Sequence, residues 1–232
     1  MTIAQKNTEE RLRQGFKQFN KFMLFLWRLG LGPWVNIWPD VGGRIMVITH
    51  TGRKTSLTRR TPVNYAITDG EIYCTVGFGS VSDWYRNIKA KPEVEVWLPD
   101  GWWTGVAEEV TDAATRIPLL RQVLISSGFA ARAAGIVPVA MTNEELDAAT
   151  RSYRLIHIRR TAARTGPGGP GDLAWVWQFA TLILLPLVLF RRRTLAERQA
   201  QQVYSQPVSR IPGTLKADHG GPLAQWTQSL RR

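Results

Sequence analysis

Only one of the 232 residues is a cysteine, and only three are histidines. The lone thiol, Cys74, excludes an internal disulfide and any multi-cysteine metal site. It lies in the apolar run Glu71-Ile72-Tyr73-Cys74-Thr75-Val76 and reads as a buried structural thiol. His50, His157 and His219 lack ligand spacing, so no metal is expected. There is no Gly-x-Ser-x-Gly elbow, which removes one common way of presenting a nucleophilic hydroxyl. Acids are also scarce, 18 against 30 Lys+Arg, giving a net charge of +12. The imbalance is local: residues 1–150 hold 17 bases and 15 acids, and residues 151–232 hold 13 and 3. The excess flanks an apolar run, a juxtamembrane pattern more than that of a nucleic-acid-binding face. Membrane lipid is therefore an expected partner and nucleic acid is not.

What is present centres on Thr49 to Pro62. This polar segment lies between two apolar runs, Arg44 to Ile48 and Pro62 to Ile67, that read as strands. It carries Arg53, Lys54, Arg59 and Arg60 with no acid, and hydroxyls at Thr49, Thr51, Thr55, Ser56, Thr58 and Thr61. Gly52 can take a positive φ, so the backbone is expected to fold closely around a guest. A solvated hairpin tip explains a basic turn in general, but a tip needing only solubility mixes its charges. Four cations in eight positions repel one another, and that stored repulsion points to a polyanionic partner. Arg supplies a planar fork for phosphate and Lys a point charge.

Phe16, Phe19, Phe22, Met23, Leu26 and Trp27 share one helical face, with Arg13, Lys17, Lys21 and Arg28 mostly elsewhere. Such a basic amphipathic helix either lies on an anionic membrane or caps its own domain's core. Strands are expected at 44–50, 62–68, 71–77, 93–98 and 102–110. Asp69-Gly70 and Pro99-Asp100-Gly101 are the turn signals between neighbours. A glycine loop at Gly77 runs into a short helix capped by Ser82 or Asp83. Residues 112–135 and Asn143 to Ala149 read as helices, the second with Thr142 at its cap. Residues 151–160 alternate like a closing strand. The expected class is α+β with a mainly β core: a small barrel under helical cover. The divisions are residues 1–38, a barrel domain at 39–162, a linker at 163–172, an apolar helix at 173–193 and a disordered tail at 194–232. Gly166-x-Gly168-x-x-Gly171 matches a dinucleotide fingerprint in form only, since its prolines deny the required strand and helix.

Four segments carry a resemblance. Thr51-Gly52-Arg53-Lys54-Thr55-Ser56, Arg60-Thr61-Pro62, Asp83-Trp84-Tyr85-Arg86-Asn87 and Pro92-Glu93-Val94, in this order and spacing, resemble the deazaflavin-dependent nitroreductase and quinone reductase family. The likeness covers roughly residues 40–110. It implies an FMN-binding-like split β-barrel that uses coenzyme F420, with FMN as the alternative cofactor. The activity implied is hydride transfer to a quinone, nitroaromatic or similar electron-poor acceptor. By position it assigns Arg53, Lys54, Thr55 and Arg60 to the cofactor's anionic arm. Pro62, Val63 and Asn64 are placed along the ring, and Gly77, Phe78, Ser80, Trp84 and Asn87 complete the pocket. The loop Gly79 to Asp83 lacks the proline and lysine of well-studied members, and their late tyrosines over the substrate are absent.

Since a deazaflavin carries the chemistry, the protein need only bind, orient and exclude water. Ser80, Tyr65 and Tyr85 are the hydroxyls available to donate to a developing oxyanion. A second class remains beside the enzyme: a barrel that binds a deazaflavin or flavin without turnover, as carrier or sensor. Leu173 to Phe190 is apolar except for Gln178 and Thr181, and at 1.5 Å per residue reaches roughly 27 Å. With Trp175 and Trp177 before it and Arg191 to Arg193 after it, it reads as a spanning or deeply inserted anchor at the cytoplasmic face of the membrane. A re-entrant hairpin and a helix packed on the protein are the alternatives.

Overall fold

The computed structural model describes residue 15, residues 18–37 and residues 39–205. The expectations for Arg13, Phe16, Lys17 and the tail beyond residue 205 lie outside these, as do those for the side chains of Arg192 and Arg193. Two compact units are formed, Met1–Ala180 and Thr181–Arg232.

The first unit is built on six antiparallel strands: β1 (Ile45–Thr51), β2 (Thr58–Thr68), β3 (Glu71–Val76), β4 (Glu93–Leu98), β5 (Gly101–Val110) and β6 (Arg154–Ala163). They close into a barrel in the order β1-β2-β3-β6-β5-β4. The α+β class and the barrel follow the sequence reading. Asp69 and Gly70 both take positive φ, 53° and 81°, which is the two-residue hairpin chemistry their sequence announced. Two strands are displaced from their expected bounds: β6 runs Arg154–Ala163 rather than 151–160, and β2 begins early. β2 starts at Thr58, because Gly52 N–H donates to Leu57 O at 2.9 Å and closes the loop. Thr58 is left to pair with Thr51, and Arg59 and Arg60 become strand residues.

Alternation along the strands sends Met46, Ile48, Val63, Tyr65, Ile72, Cys74, Val96, Ile156 and Ile158 into the barrel. Cys74 is fully buried there, and burial pushes its thiol far above the usual range. The outer surface is covered twice. Over β2, β3 and β6 lie α5 (Ala113–Ser126), α6 (Phe129–Ala133) and α7 (Asn143–Ala149), through Leu120, Val123, Leu124 and Leu146. The expected helix over 112–135 breaks at Gly128, where φ is 58° and a Cβ would stand 2.6 Å from Gly43 N. α7 begins at the expected cap: Thr142 and Glu145 bond each other's backbone N–H.

Over β1, β4 and β5 lies α1 (residues 18–28), whose Trp27 packs with Val47, Trp97 and Trp102. The helix therefore does cap its own domain's core. α1 is followed by the short helices α2 (Gly32–Val35) and α3 (Pro39–Gly42). A Cβ at Gly32 would stand 2.2 Å from the Trp27 ring, so that crossing needs glycine. Phe19, Phe22 and Phe25 remain exposed.

The Gly/Pro run after β6 is bonded down along its length. Arg164 N–H donates to Trp102 O, Gly168 O accepts from Arg60, Gly171 N–H donates to Trp27 O, and Asp172 holds Arg28 in a forked ion pair at 2.9 Å. Read as a hinge, it is a strap across the face that α1 covers.

Helix α8 runs Val176–Ser205 and carries most of the described part of the second unit. It begins three residues later than the apolar run. Its apolar stretch, Val176 to Phe190, is therefore only about 22 Å long at 1.5 Å per residue, short of a hydrocarbon core of roughly 30 Å. Among the described residues no helix is long and apolar enough to cross a membrane, which corrects the spanning reading. Leu182 to Leu185 and Leu187 to Phe190 are all exposed.

Candidate functional site

One end of the barrel is closed by α4 (Asp83–Ala90), which follows the 3-10 turn Gly79–Val81. Tyr85 and Ile88, three apart, share its inward face, with Ile88 in the barrel core. Asn87 faces inward beside them at 3 % exposure. Its Oδ1 accepts from Arg53 N at 3.1 Å and Arg53 Nη1 at 3.0 Å, so its amide nitrogen is the side that faces His50 Nδ1 at 3.3 Å. His50 Nδ1 must then accept, and Nε2–H donates to Thr61 Oγ1 at 3.2 Å. A neutral imidazole suits this arrangement. Burial, with Arg59 nearby, holds His50 down at about 4.

Beside this chain of bonds is the loop 52–57, closed on itself by Gly52 N–H to Leu57 O and Ser56 N–H to Gly52 O. Thr55 lies on it, its Oγ1 facing Leu57 N at 3.4 Å. Arg53 is committed to α4, pairing with Asp83 Oδ1 at 3.1 Å as well as with Asn87. The other cations are differently placed. Lys54 is exposed on the loop, and Arg59 Nε lies 3.2 Å from where a Gly52 Cβ would stand. Lys91 Nζ reaches Ser56 Oγ at 3.3 Å from just beyond α4. None of these three has a carboxylate partner among the described residues. The chemistry of the set suits a phosphate-bearing, polyanionic group.

Several residues assigned by sequence lie elsewhere. Arg60 points to the outer face, where its Nη2 donates to Gly168 O at 2.7 Å and its guanidinium stacks 4.9 Å from the Trp97 ring. It is engaged under the strap, apart from the loop cations. Pro62 and Asn64 share that outer face, Asn64 Nδ2 donating to Arg44 O at 3.3 Å, while Val63 faces the core. These three side chains do not line one surface. Tyr65 sits four residues along β2 from Thr61, roughly 13 Å away towards the other end of the barrel. It is 3 % exposed, and burial pushes its hydroxyl up to about 12. Tyr85 spends its hydroxyl on Glu109 Oε2 at 2.8 Å; burial and that bond raise its pKa. Neither tyrosine is presented to an acceptor near the loop. Ser80 is exposed, with its carbonyl accepting from Arg86 Nε at 2.8 Å. Gly77 and Phe78 are exposed in the same segment, and Trp84 is half-buried against the barrel core.

Sequence reasoning missed Lys91 and Glu109, and it read Asp83 as a helix cap and motif residue without its pairing to Arg53. Lys91 stands 35 positions from Ser56, and only the docking of α4 beside the loop brings the two together. Glu109 gathers Tyr85, Lys89 and Arg154 at the same end of the barrel. No cue in its own strand pattern marks it.

Residues 31–142, just under half of the chain, match the model of the F420H(2)-dependent quinone reductase family. Among solved structures, an F420-H2 dependent reductase shares 20% identity over 50% of this chain and 93% of its own, with a TM-score of 0.36. A conserved hypothetical protein from Mycobacterium tuberculosis shares 22% over 58% and 79%, at 0.38. A putative pyridoxamine 5'-phosphate oxidase from Listeria innocua shares 12% over 52% and 86%, at 0.37. No curated protein sequence matches. The family match bears out the resemblance read from the sequence: the matched segment is similar to the F420H(2)-dependent quinone reductases, and coenzyme F420 is the cofactor that similarity points to.

Proposed function

We propose that this chain transfers a hydride from reduced coenzyme F420 to a quinone at the inner surface of a membrane. The observation that carries the reading is the loop 52–57, ringed by Lys54, Arg59 and Lys91 without carboxylate partners among the described residues, inside the segment that matches the family. Uncompensated cations raise the local concentration of an anion and hold it by charge-assisted bonds. The cofactor, when bound, supplies the hydride. The chain's own part is to grip the anionic arm at the loop, to hold the loop against α4 through Arg53, and to exclude water with Trp84 and the end of the barrel. Tyr65 and Tyr85 have no role in this scheme, because one is buried far along β2 and the other is held by Glu109.

Membrane association is supported by surfaces that water covers at a cost. Leu182 to Leu185 and Leu187 to Phe190 are exposed on α8, with Arg191 next in sequence, and Phe19, Phe22 and Phe25 are exposed on α1. At about 22 Å the apolar part of α8 suits insertion into one leaflet. A lipid-soluble quinone is the acceptor such a location favours.

The test mixes the full chain with reduced F420 and follows return of the oxidised cofactor's visible absorption. One acceptor is menadione in solution, the other a long-chain quinone in vesicles of anionic lipid. Reduction of both, with vesicle co-sedimentation lost in Leu184→Ser/Leu187→Ser, is the expected result. Cofactor binding without reduction of either acceptor favours a carrier or sensor instead. No binding of F420 ends the reading.

A further inference from the structure

Asn87 reads from sequence as a residue in contact with cofactor, yet its carboxamide is turned into the protein. It is 3 % exposed; its oxygen accepts both bonds from Arg53 and its nitrogen donates to His50. The backbone bond fixes where the loop starts, and the guanidinium bond fixes which way Arg53 points. Behind it, His50 and Thr61 keep the amide from turning over, because a flipped Asn87 would face Arg53 with N–H groups.

We propose that Asn87, backed by His50 and Thr61, is a positioning residue for the basic loop: it fixes Arg53, and through Arg53 it sets how tightly the loop holds the anionic arm of the cofactor. This rests on the reading of the loop as the cofactor's anion site. The chain of bonds Arg53–Asn87–His50–Thr61 runs from the loop across β1 to β2, so the loop's shape is tied to the barrel and to α4 together. A loop so tied meets an anion without first having to be ordered, which is the gain expected of preorganisation.

The test is a double-mutant cycle on the full chain, with the dissociation constant for F420 as readout. Arg53→Ala and Asn87→Ala are each expected to weaken binding about tenfold. The double variant should bind within about threefold of the weaker single variant, because one path is cut twice. Turnover at saturating cofactor should stay within about twofold in Asn87→Ala, since the residue touches no reacting atom. Effects that multiply in the double variant mean that Asn87 acts on the cofactor by itself, and they overturn the proposal. A measurement on the unaltered protein covers the case in which Asn87→Ala does not fold. Nitrogen NMR of His50 should show the Nε2–H tautomer; the Nδ1–H tautomer reverses the chain and overturns the proposal. Lys54→Ala and Lys91→Ala probe the underlying reading separately. If both bind F420 as the parent does, the loop is not the anion site and the proposal falls with it, whatever the cycle gives.

Discussion

Acidification should weaken this fold through one histidine. His50 is 3 % exposed, accepts from Asn87 and donates to Thr61, and burial with Arg59 nearby holds it at about 4 against an ordinary 6.5. The folded-state value is depressed, so the unfolded chain takes up the proton first as pH falls. Stability from this group is full above about pH 6.5 and is lost between there and pH 4. The whole shift corresponds to about 3 kcal/mol, of which about 2 kcal/mol is gone by about pH 5. Against a typical total of roughly 5–15 kcal/mol that is readily measured. Carboxylates elsewhere also respond to acid, so the assay is a difference. Urea unfolding is followed at about pH 7 and about pH 5 for the parent and for His50→Gln, whose amide cannot take a charge. The parent should lose about 2 kcal/mol more than the variant across that interval. Equal losses in the two proteins would refute the reasoning, because the imidazole would then titrate alike folded and unfolded.

Four further outcomes are expected. Trp27→Ala should cost about 3–5 kcal/mol in thermal or urea unfolding, since the indole is 1 % exposed against Val47, Trp97 and Trp102. Tyr85→Phe should cost only about 1 kcal/mol and leave turnover within twofold, because Lys89 and Arg154 still hold Glu109; a large loss of rate returns Tyr85 to the chemistry. Gly79→Ala should destabilise by more than about 1 kcal/mol, given a φ of 59° and Ser152 O only 2.3 Å from the new Cβ. Lys91→Ala should weaken F420 binding by roughly threefold to tenfold at low salt, with the difference shrinking as salt screens the loop; a salt-independent effect points to lost packing.

The barrel was legible because its signals are local. Asp69-Gly70 needs two positive φ values in adjacent positions and has them, and Thr142 with Glu145 closes a capping box within one turn. Cys74 alternates with Ile72 and Val76 into the core, as a period of two requires. What escaped depends on contacts distant in sequence. The strap at 164–172 looks like a hinge by composition, and its bonds to Arg60, Trp27 and Arg28 come from positions more than 100 residues earlier. The late start of α8 is another case. Leu173 is as apolar as the helix that follows, but its N–H is spent on Arg28 O, far earlier in the chain, and this holds the segment in the strap.

The site was half legible, for a reason particular to strands. Arg53, Lys54, Arg59 and Arg60 look like one cluster when counted along the chain, and the count makes all four available to an anion. Pairing of Thr58 with Thr51 converts the last two to strand residues, and neighbours on a strand face opposite ways. Arg59 turns toward His50 and the loop, while Arg60 turns out onto Trp97 and into the strap. A register slip of one residue would exchange them: it would bring Arg60 to the loop and send Arg59 beneath the strap. The register is held where the loop closes, by Gly52 N–H on Leu57 O, and a Cβ at Gly52 would press on Thr55 Oγ1 at 2.9 Å and Leu57 O at 3.3 Å. Gly52 does not take the positive φ its sequence allows, which falls instead to Ser56; the space left by its missing Cβ is what lets the loop close on Leu57 and keeps Arg59, not Arg60, beside it.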